Sequence, residues 1–95
     1  MAEHILAPKG SLLMAQTGQA FRDFEKIPAN SSFRIDLSGV DRIDSSAVAW
    51  LVTVVRTART RGQSVEIDSL PPRIIQFAEI YGLDDAIRSL LSTNR

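Results

Sequence analysis

The chain has 95 residues, 44% hydrophobic and 23% charged, which fits one domain spanning 1–95 with a single two-layer core and little room for a deep active site. Its 11 basic and 11 acidic residues cancel, so no basic excess points to nucleic acid, and little self-repulsion opposes association with another protein. The absence of cysteine excludes disulfides, thiolate metal sites and cysteine nucleophiles, and it fits a cytosolic setting.

"MAEHILAPKG" lacks the charged region and long apolar core of a signal peptide. No apolar run reaches the roughly 18 residues of a membrane span, so any membrane role is expected to come through a partner. Pro8/Gly10, Pro28 to Ser32, Ser38/Gly39, Gly62, Pro71/Pro72 and Gly82 then cut the chain into short elements. "HILA" (4–7) reads as a short strand. "SLLMAQTGQAFRDFEKI" (11–27) reads as a helix in which Leu13, Ala20, Phe24 and Ile27 share a face and Gly18 is a weak point. "FRIDLS" (33–38) alternates, with Phe33, Ile35 and Leu37 to one side and Arg34, Asp36 and Ser38 to the other, the pattern of a half-buried strand.

Asp41 falls in a turn before the long helix "SSAVAWLVTVVRTARTRG" (45–62). Arg56, Arg59 and Arg61 suit the negative end of that helix's dipole, and Gly62 is placed to terminate it. "SVEID" (64–68) is a second alternating strand. "PPRIIQFAEIYG" (71–82) opens on proline and closes on glycine, with Ile74, Phe77, Ala78 and Tyr81 on one buried stripe. "DDAIRSLL" (84–91) makes a short last helix carrying Ile87, Leu90 and Leu91. The order predicts an α/β fold with a small, mostly parallel or mixed sheet. Because both clear strands keep a polar face, the helices are expected on one face of the sheet, with the other largely wet.

Catalytic chemistry is not expected. His4 is the only histidine, too few for a zinc site or a triad, and neither phosphate-loop nor dinucleotide glycine motif occurs. Asp36, Asp41 and Asp44 read better as strand, turn and helix-cap residues than as magnesium ligands, and Ser45 has no base to activate it. Neither metal nor cofactor is implied.

The long helix carries the one unusual pattern. At about 100° per residue, Ala47, Leu51, Val54, Val55 and Ala58 form the core face, and Thr53, Arg56 and Thr60 lie opposite. Ala49 falls on that outer side, Trp50 beside Ser46 and Thr57, and Val52 near Ser45 and Arg59, so the first half of the helix is apolar nearly all round. Neighbouring loops covering these residues is one reading. The preferred one is a docking surface of Asp44, Ser46, Ala49, Trp50 and Val52 around Ser45, because tryptophan is enriched at interfaces and is hard to cover in so small a domain. Asp44 or Ser45 caps the helix. A hydroxyl there also carries a phosphate comfortably, which would add roughly −2 charges to the patch and make it a switch.

"FRIDLSGVDRIDSSAVAWLV" resembles the signature of STAS domains, the sulfate-transporter and anti-sigma-factor-antagonist family, in which a strand ending in Asp-Leu-Ser leads to an aspartate and hydroxyl pair opening a helix. The likeness continues through "RGQSVEI" to "IIQFAEIYGLDDAI" and covers about 33–88. Family members begin with a two-strand hairpin. Only "HILAPKG" stands ahead of the first helix here, so one N-terminal strand is expected to be missing. The resemblance implies a non-enzymatic module with one of two roles. MlaB-like subunits sit on the ATPase of a bacterial phospholipid ABC transporter, which would make Ser45 a partner contact and place the chain in the cytoplasm, at the inner face of the inner membrane through its partner. Anti-sigma factor antagonists are phosphorylated by an anti-sigma factor kinase on the hydroxyl after the aspartate, again Ser45. Antagonists usually carry glycine after the serine pair, where this chain has Ala47, and "FAEIYGL" resembles MlaB-like endings. The MlaB-like reading is therefore favoured.

Overall fold

Two strands, β1 (His4–Leu6) and β2 (Gly10–Leu12), precede the first helix in the computed structural model, which describes residues 4–89. Then come α1 (Met14–Glu25), β3 (Ser32–Asp36), β4 (Val40–Ile43), α2 (Ser45–Thr60), β5 (Ser64–Ser69), α3 (Pro72–Ile80) and α4 (Asp84–Arg88). Both N-terminal strands are thus present, where the sequence suggested one missing, but they pair with β3 and β4 and not with each other. Ser11 and Leu12 belong to β2, so α1 starts at Met14 and not at residue 11. Leu90 and Leu91, assigned to the last helix from sequence, lie outside the described residues.

β3 lies between β1 and β5, parallel to both, and β2 pairs with β4, also in parallel. The turn expected at Asp41 is instead part of β4. That strand buries its first and last residues, Val40 and Ile43, and exposes Asp41 and Arg42 between them, so it shows no alternation to read. β3 behaves as its pattern demands. Phe33 and Ile35 are buried, while Arg34 on the opposite face pairs with Glu66 at 3.2 Å and Asp68 at 3.5 Å across β5. A charged cross-strand cluster of this kind needs water, and it marks the wet face of the sheet.

The helices gather on the apolar face, where α2 packs between α1 and α3 and against β5. Phe24, Phe33, Ile35, Leu51, Val54, Ile67 and Ile74 form the centre of the core. Full burial of each such side chain is worth about 1.5–3 kcal/mol, and this is the main force holding the layers together.

The far end of α2 is tied down closely. Gly62 turns the chain with φ +69, and a Cβ there would collide with Oδ1 of Asn30. The Asn30 N–H donates to the Arg61 carbonyl at 2.9 Å. Gln63, buried, donates from Nε2 to the carbonyls of Ile27 at 3.1 Å and Pro28 at 2.9 Å. Arg61 donates to the Ile27 carbonyl at 2.8 Å and lies over the Phe24 ring at 5.4 Å. These contacts fix the α1–β3 connection against the start of β5.

Candidate functional site

The site follows from the β2–β4 pairing. These strands run in parallel with Leu12 opposite Ile43, and each leads directly into a helix. The N-termini of α1 and α2 therefore converge. Asp44 sits between them as the N-cap of α2. Its Oδ1 accepts the Ser46 N–H at 2.8 Å and its Oδ2 accepts the Met14 N–H at 3.3 Å. One carboxylate thus caps its own helix and also meets the first N–H of the neighbouring one, the end where each dipole favours negative charge. The cap expected at Asp44 or Ser45 is Asp44.

Ser45 is the first residue of α2. It is exposed, and among the described residues no hydrogen bond engages its hydroxyl. Ala49 lies one turn on, also exposed, with Ser46 partly covered. Ser45, Ser46 and Ala49 share a shallow depression with Val48, Tyr81 and Leu83. Tyr81 is 57% exposed, Ile80 beside it 74%, and Met14 at the start of α1 75%. The sequence pattern places Tyr81 on the buried stripe of α3. It is the C-cap residue instead, and only the small residues of α2's first turns lie opposite it. The sequence does not reveal Tyr81 as a neighbour of Ser45, or the meeting of the Met14 backbone N–H with Asp44. The signal for Met14 is its place two residues after a strand parallel to the one that delivers Asp44.

Two members of the expected docking surface lie elsewhere. Trp50 is only 4% exposed and does not stand on the outer face. Thr17, Gly18 and Phe21 of α1 lie along that flank of α2, beside Ser46, Ala49 and Thr53. The covering element is a helix, α1, whose apolar stripe is wider than the sequence pattern suggests, since the Phe21 ring packs tilted against Phe24 with centroids 5.3 Å apart. The indole N–H of Trp50 is buried without an acceptor. Val52 is half-buried and turned toward α4, where it lines a separate cleft with Leu83 and Ile87. Ala47 is fully buried, so its methyl group fills core and reaches no partner. It does not distinguish a docking face from a kinase substrate.

Among the described residues no cluster of three His, Asp or Glu side chains is placed to hold a metal ion. Asp36 is engaged locally: the Ser38 backbone N–H, at 2.9 Å, and then the Ser38 hydroxyl hold its carboxyl below the usual value, with Lys9 adding to the shift. No helix among the described residues is long and apolar enough to cross a membrane.

The family model described as "Mlab, STAS domain" matches residues 4–92, and the chain belongs to this family of STAS domains. Two solved structures share the fold. A sulfate transporter family protein from Wolinella succinogenes superposes with a TM-score of 0.71 at 15% identity, over 93% of this chain and 74% of that one. The SulP transporter STAS domain from Vibrio cholerae gives 0.64 at 18% identity, over 93% of this chain and 70% of that one. No curated protein matches the chain significantly. STAS domains are generally regulatory or interaction modules and not catalysts.

Proposed function

We propose that this chain is a non-catalytic, cytoplasmic STAS subunit that seats on the ATPase of an Mla-type phospholipid ABC transporter through the first turn of α2. The observation that carries this reading is the surface around Ser45, where, among the described residues, an unengaged hydroxyl shares a shallow depression with the exposed Ala49 and Tyr81 and with Val48 and Leu83. Apolar side chains grouped at a helix start, with a polar group at the centre, suit a protein partner better than solvent. Membership in the MlaB-type family supports an ATPase as that partner. Asp44 and Ser46 shape the surface from beneath, and Trp50 supports it from the core.

The test is capture of the ATPase subunit by the wild-type chain and by Ser45→Arg and Ala49→Arg. Both residues are exposed, so the variants fold, and loss of capture is expected. Undiminished capture by both sinks the reading. The rival is an anti-sigma factor antagonist, favoured by the same accessible hydroxyl, and it requires phosphate on Ser45. Mass spectrometry of the native protein that finds the phosphoserine, together with a failure to capture the ATPase, would replace the first reading with the second.

A further inference from the structure

Away from the first turn of α2, a second concave surface lies between the C-terminal half of that helix and α4. Val52 and Val55 line one side, Leu83, Ala86 and Ile87 the other, and the cleft measures about 190 Å³. Arg56 and Arg59 stand at its edge, both exposed and one helical turn apart.

Among the described residues, these two arginines differ from most others because nothing engages them. Arg34 pairs with Glu66 and Asp68, and Arg88 with Glu79 and Asp84. Arg61 is bonded to the Ile27 carbonyl, and Arg73 lies over Phe77. Among the described residues, no hydrogen bond, ion pair or ring contact reaches Arg56 or Arg59. α2 contains no acidic residue that would neutralise them. On α4, Asp84 is taken by Arg88, and among the described residues Asp85 forms no ion pair. The helix dipole accounts for a cation in the last turn of α2, but not for two unneutralised guanidinium groups beside an apolar cleft.

We propose that this cleft receives an acidic segment of the ATPase partner, an inference that rests on the docking reading above. One apolar side chain of that segment seats between Val52, Val55 and Ile87, and carboxylates flanking it pair with Arg56 and Arg59. Size and charge select this occupant. Small-molecule sites usually enclose about 300–1,000 Å³, more than this cleft offers, whereas a single large side chain fits. The planar guanidinium is the group best matched to a carboxylate, and arginine is among the residues most enriched where interfaces carry their energy. Ser45 and Arg56 lie about 16 Å apart along one helix, so one partner can meet both surfaces.

The experiment measures binding of the purified ATPase subunit to the full chain at about 0.05 M and about 0.5 M salt. It compares wild type, Ser45→Arg, Arg56→Glu/Arg59→Glu and Arg56→Lys/Arg59→Lys. The double charge reversal is expected to weaken binding about tenfold or more at low salt, with the difference shrinking at high salt. The lysine pair is expected to keep most of the association rate and dissociate faster. In the lysine variant, a carbodiimide should join position 59 to an aspartate or glutamate of the ATPase, and mass spectrometry would locate the new amide. Unchanged affinity and salt dependence in the charge reversal, with Ser45→Arg still abolishing binding, overturns the cleft proposal and leaves the first docking surface standing. Failure of the wild-type chain to bind the ATPase overturns both. Shifts in the amide spectra of Val52, Val55 and Ala86 on adding octanoate, with no dependence of ATPase binding on the arginines, would make the cleft a site for an anionic amphiphile and likewise overturn the proposal.

Discussion

The two ends of α2 are built in opposite ways. At its C-terminal end a left-handed glycine, a buried amide, a guanidinium and a backbone bond from Asn30 tie the helix to the α1–β3 connection. At its N-terminal end one carboxylate makes the ties to the neighbouring helix and to its own, and the side chains around it turn outward. Groups committed to internal bonds are not available to a partner, and groups left unengaged add little to folding. The contrast therefore separates the end of α2 that is bound into the fold from the end whose groups stay open, where the proposed reading seats the partner's first contact.

The largest expected effect tests whether that division holds beneath the surface. Trp50 lies in the N-terminal half of α2 yet is a core residue, so Trp50→Ala should cost about 3–5 kcal/mol in chemical denaturation. Trp50→Phe should cost far less, because it keeps most of the packing and removes a buried N–H that has no acceptor. A mild Trp50→Ala would mean the indole is not sealed under α1. Next comes the opposite end. Gly62→Ala meets both the positive φ and the Asn30 side chain, and a loss of about 2–3 kcal/mol is expected from thermal or urea unfolding. Asp44→Ala removes a cap and the bond to Met14, for about 1–2 kcal/mol. Amide exchange would sharpen this case, since the Met14 and Ser46 amides should both lose protection while the C-terminal end of α2 keeps its own. Smallest is Ser45→Ala, within about 0.5 kcal/mol of wild type by the same denaturation measurement, as befits an exposed hydroxyl without a bond. A large loss there would erase the contrast between the two ends.

Much of this was legible in the sequence, and the failures have specific causes. β3 and β5 alternate because one face meets the core and the other meets water, so their residues announced themselves. The start of α2 at Asp44 and its end at Gly62 were marked by residue types whose chemistry demands those places. β4 was invisible because its polar pair sits between two buried residues, and β2 because three residues carry no period. A helical projection captures the period of one helix but says nothing of what packs against it. It placed Trp50 beside Ser46 correctly, but the flank it shares with Ser46 is the one α1 covers. For the same reason the stripe on α3 ran on to Tyr81, one residue beyond the helix. Ser45 itself needed only its own neighbours, and the sequence placed it in the first turn of α2.

The buried indole also has a spectroscopic consequence. This chain contains one tryptophan, and it is wedged between α1 and α2 directly behind Ser46 and Ala49. Its fluorescence therefore comes from a single apolar environment. The native state should emit at short wavelength, with little quenching by iodide. A partner that seats on the first turn without disturbing α1 should leave that emission almost unchanged, and one that prises the two helices apart should shift it to the red. The domain thus carries its own unlabelled optical gauge, at the seam where the two kinds of docking differ.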